Sequence, residues 1–196
     1  MRYIVLIIFS CVVPPDDEFV SSLSHTHELI QREIVFLGGE TESPESLIFV
    51  AFRGERFRPR HFEMLSHLDD LKWFSCRDVT GTPESLAYLR ALPHLERLDI
   101  RNSPEVGRGV ERLSEFPALR EIWLEDVALS DEGALALAKL PKIRELHLED
   151  VKLTDAGAVA LEALASRGVK CDFIGLEGLS AGVATKLYEK AGPHYK

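Results

Sequence analysis

An apolar motif returns every 24 residues through the middle of this 196-residue chain. The motif has apolar residues at its first, fourth and sixth positions, and four copies begin at Leu71, Leu95, Leu119 and Ile143. A fixed repeat of this length is typical of a solenoid, in which one small structural unit stacks on copies of itself. Because such a unit buries its apolar side only against its neighbours, the period constrains the fold of most of the chain.

The two most similar copies, residues 119–133 and 143–157, show what one unit contains. Each opens with alternating apolar and polar residues, the pattern of a strand with one buried face. A hydroxyl residue then precedes an acid, Ser130 before Asp131 in one copy and Thr154 before Asp155 in the next, which is typical of a helix start. The apolar spacing that follows is helical. The sequence therefore predicts a strand, a turn and a helix in each unit.

The run Leu153-Thr154-Asp155-Ala156-Gly157, with Leu161 and Leu164 after it, resembles the leucine-rich repeats with helical convex sides that are common in bacterial proteins. The resemblance is strongest over residues 71–168. It implies an α/β fold: a right-handed solenoid of ribonuclease-inhibitor-like architecture, with parallel strands on the concave face and helices on the convex face. Irregular capping repeats are expected at both ends.

One position departs from the pattern of many leucine-rich repeats, which place asparagine or cysteine there. This chain has other residues at that position: Val79, Ser103, Val127 and Val151. An asparagine ladder is therefore not expected, and we predict that apolar packing closes the inner turn.

Three segments are predicted along the chain: residues 1–46 as an N-terminal cap or divergent repeat, 47–168 as the repeats, and 169–196 as a C-terminal repeat with a capping helix. Terminal repeats of solenoids are usually irregular because they cover the end of the core. In the last segment, a strand is expected to begin slightly out of period at Val169, and a helix is expected over Ser180–Ala191.

The first repeat allows two interpretations. Leu47–Phe52 is rich in aromatic and branched residues and is predicted to be a strand. The alternative is a helix start at Ser43 and Pro44, which resemble Thr82 and Pro83. Pro59 falls one period before Pro83, and both are predicted at the first helical position, where the missing N–H costs nothing.

Residues 1–13 also allow two interpretations. A basic start, an apolar run and Cys11 resemble an export signal with a lipoprotein-type cleavage site, but the run is shorter than the usual signal of about 15–30 residues. We favour Tyr3–Phe9 as a buried strand, a helix from Asp16 through Leu29, and Ile34–Leu37 as the next strand. We accordingly favour a cytoplasmic location over export or lipid anchoring, and the apolar run is too short for a transmembrane helix.

The composition limits the possible partners and chemistry. A net charge of −9 argues against binding to nucleic acid, which requires a basic surface. Three cysteines, Cys11, Cys76 and Cys171, lie far apart, and Cys76 occupies a core-facing strand position, so a buried thiol is expected there. No catalytic or cofactor-binding motif is present, and we predict no cofactor, no metal and no enzymatic activity.

Histidines and paired acids are the remaining candidates for chemistry. His25 and His27 would support a metal-dependent enzyme, which we regard as a remote alternative to a solvated cap helix. His61 and His67 are interpreted as surface or boundary residues. The pairs Glu125–Asp126 and Glu149–Asp150 are interpreted as turn and surface charges rather than calcium ligands, because no calcium-binding loop accompanies them.

The outward columns of the predicted sheet carry the functional prediction. Residues 24 apart should lie side by side on parallel strands about 4.8 Å apart. These columns place both tryptophans of the chain at outward positions beside arginines, a composition typical of binding hot spots. Packing of the indoles on their neighbours and simple pairing of charges are the alternative. The predicted binding residues of the concave face are Phe49, Arg53, Trp73, Arg77, Arg97, Arg101, Trp123, Glu125, His147 and Glu149.

The predicted function is a non-enzymatic protein-protein interaction module, a monomer that binds a protein partner through the concave face. The alternative is a target-recognition subunit of an enzyme complex whose catalytic activity lies on another chain.

Overall fold

A computed structural model describes residues 27–43, 46–54 and 56–192 of the chain. The fold is α/β, with one open sheet of seven strands that pair in sequence order. The strands are β1 Glu40–Ser43, β2 Ser46–Arg53, β3 Trp73–Arg77, β4 Arg97–Arg101, β5 Glu121–Glu125, β6 Glu145–Glu149 and β7 Lys170–Ile174. The pairing of β1 with β2 is antiparallel, and all later pairs are parallel.

The parallel strands pair with a constant register. From β2 to β6 each residue lies beside the residue 24 positions later, as Phe49 does beside Trp73. At β7 the shift becomes 25, because Glu145 pairs with Lys170. The predictions of a strand at Leu47–Phe52 and of a final strand slightly out of period are confirmed.

Helical segments follow or precede the strands. The α-helices are α1 His27–Phe36, α2 Pro59–Leu65, α3 Pro104–Gly107, α4 Asp131–Lys139, α5 Asp155–Ser166 and α6 Ala181–Ala191. Two 3-10 helices span Ser85–Ala91 and Arg108–Glu115. The terminal helix is confirmed, as is Pro59 at the first position of α2. No helix in the described part of the chain is long and apolar enough to span a membrane.

The segment after β3 differs from the prediction. Pro83 does not begin a helix there, since the helix starts at Ser85 and is of the 3-10 type. The buried leucines Leu86, Leu89 and Leu92 recur every three residues. Because side chains three apart eclipse each other in a 3-10 helix, this spacing gives the segment a single buried stripe.

One face of the sheet holds the core. Alternate residues of β3 and β5 are buried, and these side chains join the buried side chains of the helices in a single cluster. Leu98, Ile122 and Leu146 are completely buried at equivalent places on three neighbouring strands. The opposite face of the sheet is half-buried, so the strands pack on one side only.

The predicted helix starts of α4 and α5 are confirmed by hydrogen bonds. The Ser130 Oγ accepts from the Gly133 N–H at 3.0 Å, and the Thr154 Oγ1 accepts from the Ala156 N–H at 3.2 Å. Each first-turn acid also accepts from the cap residue of the next unit: Thr154 donates to Asp131, and the Ser180 N–H donates to Asp155. Hydrogen bonding from the backbone and the side chain of Ser180 lowers the pKa of Asp155.

A column of left-handed residues ends the strands. Asp78, Asn102, Asp126 and Asp150 have φ between 44° and 57°, and Gly54 and Gly175 extend the column at its two ends. In this column, the backbone N–H of every member except Gly175 donates a hydrogen bond to the carbonyl of the last residue of the next strand. The bond from Asp126 to Glu149, for example, is 3.0 Å long. Aspartate, asparagine and glycine are the residues that adopt this conformation at least cost. The interpretation of Asp126 and Asp150 as turn charges is consistent with this placement.

The inner turn closes largely as predicted. Val79, Val127 and Val151 are buried. Ser103 is the exception, because its Oγ accepts from the Val79 N–H at 3.1 Å and donates to the Arg101 carbonyl at 2.8 Å. At this one position a polar side chain bonds the turn backbones, so apolar packing alone does not close the turn.

Two predictions for the N-terminal segment are wrong. Ile34–Leu37 is not a strand, since Ile34 lies in α1, and the helix does not end at Leu29. Ile30, Ile34 and Leu37 are buried at helical spacing, which an apolar run alone did not distinguish from a strand. The strand β1 was not predicted. The proposed strand Tyr3–Phe9, the signal alternative with Cys11, and the start of the proposed helix lie outside the described residues.

The interpretation of His61 as a surface or boundary residue is wrong, because its side chain is buried, whereas His67 is exposed. His61 is only 1% exposed within α2, and its Nδ1 accepts from the Arg58 N–H at 2.8 Å, which closes the first turn of the helix. Its Nε2 lies 3.7 Å from the Glu33 carboxylate and 3.3 Å from the Arg60 Nε. Burial, together with Arg60 and Arg58, lowers the pKa of His61 to about 4, while burial raises the pKa of Glu33.

This pKa predicts a loss of stability in acid. Between its ordinary pKa of 6.5 and about 4, His61 takes up a proton in the unfolded chain but not in the folded one, so the free energy of unfolding should fall as the pH falls through this range. Glu33 has the opposite effect, because a raised carboxyl pKa favours the folded state in acid. His61→Gln keeps an acceptor for the Arg58 N–H and cannot titrate, so it should lose less stability than the wild type in urea unfolding across this range. If the free energy of unfolding changed with pH in the same way for both proteins, the lowered pKa assigned to His61 would be wrong.

Candidate functional site

The half-buried face of the sheet, opposite the core, is the candidate site. It is formed by residues 49, 51 and 53 of β2 and by the residues aligned with them on β3 to β7. We call it the open face. All the residues predicted to bind a partner lie on it, because the register of 24 places each predicted column side by side.

A continuous stack of flat side chains crosses the open face from β2 to β6. The Phe49 and Trp73 rings are 4.4 Å apart, and the Arg97 guanidinium lies 4.2 Å from Trp73 and 4.8 Å from Trp123. Trp123 in turn stacks on His147 at 4.6 Å. Arg97 thus bridges the two indoles with cation–π contacts on both sides. We call these five residues the aromatic stack.

The stack changes the interpretation of the tryptophans. Trp73 and Trp123 are half-buried rather than fully exposed, because their neighbours cover the ring faces. The indoles therefore pack on neighbouring side chains, which was the alternative to a binding role. Both indoles lie on the outward side of the strands, as predicted. Replacing Trp123 by alanine would consequently disturb the packing of Arg97 and His147 and lower stability.

Both indole N–H groups of the open face lack a hydrogen-bond partner among the described residues. They are shielded from water by the side chains around them. A shielded donor without an acceptor costs roughly 1–3 kcal/mol, so native proteins seldom keep one. The Arg97 Nε on the same face is a third shielded donor without a hydrogen-bond partner among the described residues.

Ion pairs connect the middle strands. Arg77 contacts Glu125 at 2.8 Å across two strands, and Arg97 contacts Glu121 at 3.4 Å. Arg101 makes two hydrogen bonds to the buried Asp99, at 2.8 and 3.0 Å, and also contacts Glu125 at 3.3 Å. These contacts raise the pKa of Arg101, chiefly through the bond to Asp99. The charge pairing that the sequence left as an alternative is therefore present in the centre of the face.

The two ends of the open face differ in charge and exposure. At the β2 end the Arg53 side chain is 74% exposed and lies 3.4 Å from Asp78. At the β7 end His147 is buried between two acids, with its Nδ1 3.0 Å from Asp172 and its Nε2 3.4 Å from Glu149. Glu145 there contacts Lys170 at 2.8 Å.

The open face is consequently polarised. Strands β2 to β4 present four arginines and one aspartate, and strands β5 to β7 present four glutamates, one aspartate and one lysine. The pairs Arg77–Glu125 and Arg97–Glu121 join the two halves. Along one column of the face, the arginines Arg53, Arg77 and Arg101 are followed by the glutamates Glu125 and Glu149.

Sequence reasoning missed Asp172 as a functional candidate. Its contact with His147 depends on the register shift of 25 at β7, and a search at the 24-residue period does not find it. Asp99 was not among the predicted site residues either, and its burial and its bonds to Arg101 follow only from the structure.

The two cysteines that the structure describes are not part of this face. Cys76 and Cys171 are buried thiols, and burial raises the pKa of Cys76 and raises that of Cys171 to about 11, so neither is a thiolate at neutral pH. In the described ranges no three His, Cys, Asp or Glu residues are placed to hold a metal ion. The histidine hypothesis at residues 25–28 and Cys11 lie outside the side chains that the structure describes.

Comparison with known sequences gives no indication of what this site does. The chain matches no protein-family model and no curated protein. The function is therefore argued from the open face itself.

Proposed function

We propose that the chain is a leucine-rich-repeat solenoid with irregular capping repeats. The proposal is supported by the 24-residue period, the in-order parallel strands with the same register, and the helix starts at Ser130 and Thr154. The left-handed column from Gly54 to Gly175 also supports it, since every unit then turns away from the sheet in the same manner.

We propose further that this solenoid is a non-enzymatic interaction module that binds a protein partner through the open face. The aromatic stack is the observation that carries the proposal. Parallel sheets are usually covered on both faces, and this one is covered on one. Its other face presents two tryptophans and four arginines, the residue types that dominate binding energy at protein interfaces.

The residues of the open face would have different roles. The ring edges of Trp73 and Trp123 would provide apolar contact area near the centre, where hot spots concentrate. Arg97 would hold the two indoles in place. Arg53 and Glu149, toward opposite ends, would act mainly on the rate of association and on the choice of partner, as charges at an interface rim do.

The proposal is tested by affinity capture from the native cell with variants that leave the stack intact. Arg53→Glu and Glu149→Lys change charges whose side chains are 74% and 39% exposed, so both proteins should remain folded. Each should reduce the amount of the captured protein by about threefold or more, which corresponds to roughly 0.7 kcal/mol. Increasing salt should reduce capture by the wild type.

Leu135→Glu is the matched control, because Leu135 is 47% exposed on α4 and not on the open face. Capture that is unchanged in Arg53→Glu and Glu149→Lys but lost in Leu135→Glu would place the interaction on the helices and overturn the proposal for the open face.

A further inference from the structure

The open face is small for a globular partner. Six parallel strands at about 4.8 Å spacing and five residues of about 3.3 Å each give a surface of about 24 by 16 Å, or roughly 400 Å². A stable protein-protein interface usually buries about 800 Å² on each partner. The flat footprint of the face is therefore smaller than the surface that a second folded domain, or a second copy of this chain, usually buries.

The same face fits an extended peptide. A peptide of about eight residues spans the distance from β2 to β7 when it lies across the strands. Its main chain brings carbonyl acceptors, which are the groups that the indole N–H donors of Trp73 and Trp123 lack.

The charge pattern indicates the order of residues along such a peptide. Because arginines dominate β2 to β4 and acids dominate β5 to β7, the complementary peptide carries acidic residues over the first half and basic residues over the second. The central ion pairs Arg77–Glu125 and Arg97–Glu121 are already formed. Arg53 and Glu149 lie outside these pairs and each contacts one neighbour, Asp78 and His147 respectively, but their side chains remain 74% and 39% exposed and accessible to charges of a peptide.

We infer that the open face binds a short extended peptide segment with an acidic block at one end, an apolar residue over the aromatic stack, and a basic block at the other end. The inference deepens the proposed function and rests on it. It specifies the occupant as a charge-polarised peptide rather than a folded domain.

Tryptophan fluorescence provides a direct measurement, because both tryptophans of the chain lie on the open face. The probe is a synthetic peptide of about nine residues with blocked ends, carrying glutamates, then Gly-Leu-Gly, then lysines, with no tryptophan. The control peptide has the same composition with glutamate and lysine alternating. The block peptide should change the fluorescence of the full chain and bind at least about tenfold more tightly than the control, a difference of roughly 1.4 kcal/mol.

Variants then test the position of the peptide. Arg53→Glu and Glu149→Lys should each weaken binding of the block peptide by about threefold or more, and Leu135→Glu should leave it unchanged. Equal affinity for the two peptides, or no fluorescence response to either, would overturn the inference. Sedimentation that shows a dimer which Arg53→Glu dissociates would also overturn it, because a second copy would then occupy the face.

The two proposals can fail separately. If a native protein is captured through Arg53 and Glu149 while the block peptide shows no preference, the open face binds a partner by other chemistry, and only the peptide inference is lost. If capture does not depend on these residues, the proposed function fails first.

Discussion

Leu124→Ala is expected to lower the free energy of unfolding by about 2–5 kcal/mol, the usual cost of removing a buried leucine side chain. Leu124 is completely buried on β5 and lies between Ile100 and Leu148 on the neighbouring strands. Truncation leaves a cavity in the middle of the core, and the parallel strands on both sides limit how far the structure can collapse into it. Urea unfolding followed by circular dichroism measures the loss.

Leu135→Ala is the matched control for this prediction, because Leu135 is 47% exposed and its truncation should change stability by less than about 0.5 kcal/mol. A loss below about 1 kcal/mol for Leu124→Ala would show that Leu124 does not pack in the core. The assigned register of the whole sheet would then be wrong, since every core position follows from the same period.

Gly109→Ala is expected to destabilise the fold by more than about 2 kcal/mol. A Cβ at this position would lie 2.3 Å from the backbone carbonyl oxygen of Pro83 and 3.4 Å from Leu86. The obstacle is main chain rather than a flexible side chain, so the 3-10 helix Arg108–Glu115 would have to move away from the preceding unit. Thermal unfolding should show a clearly lowered midpoint.

Gly182→Ala provides the control for the glycine substitution. Gly182 lies in α6 with no heavy atom within 4 Å of the added Cβ, so alanine should be neutral or should stabilise by up to about 1 kcal/mol through helix propensity. Equal stability of the Gly109→Ala protein and the wild type would mean that these two units are not in the close contact described.

The two core predictions differ in how far the sequence supports them. The burial of Leu124 follows from the period alone, because apolar residues at fixed positions of every unit must face the same core. The contact of Gly109 with Pro83 does not follow from any pattern. It depends on how closely two neighbouring 3-10 segments approach, and that distance results from the packing of the side chains between them.

The N-terminal errors have the same origin. The helix was ended at Leu29 and Ile34–Leu37 was assigned to a strand because no second copy of this segment exists to fix its register. Likewise His61 was placed at the surface from its neighbours in sequence, whereas the approach of α1 and α2 brings Glu33 against it and buries it.

On the open face, the sequence by itself determined which residues share a column and which direction they point. The 24-residue period sets the register, and the alternation of a strand sets the face, so Trp73, Arg97 and Trp123 were placed correctly without any coordinates. The contacts between columns were decided only by the tertiary structure. Arg97 reaches Trp123 in a different column, because its long side chain can bend toward that neighbour. His147 contacts Asp172, its direct neighbour on β7, because the register shift there is 25 rather than 24. A linear period specifies which residues are neighbours on adjacent strands, whereas the choice among several neighbours depends on side-chain rotamers and competing charges, which exist only once the strands are assembled.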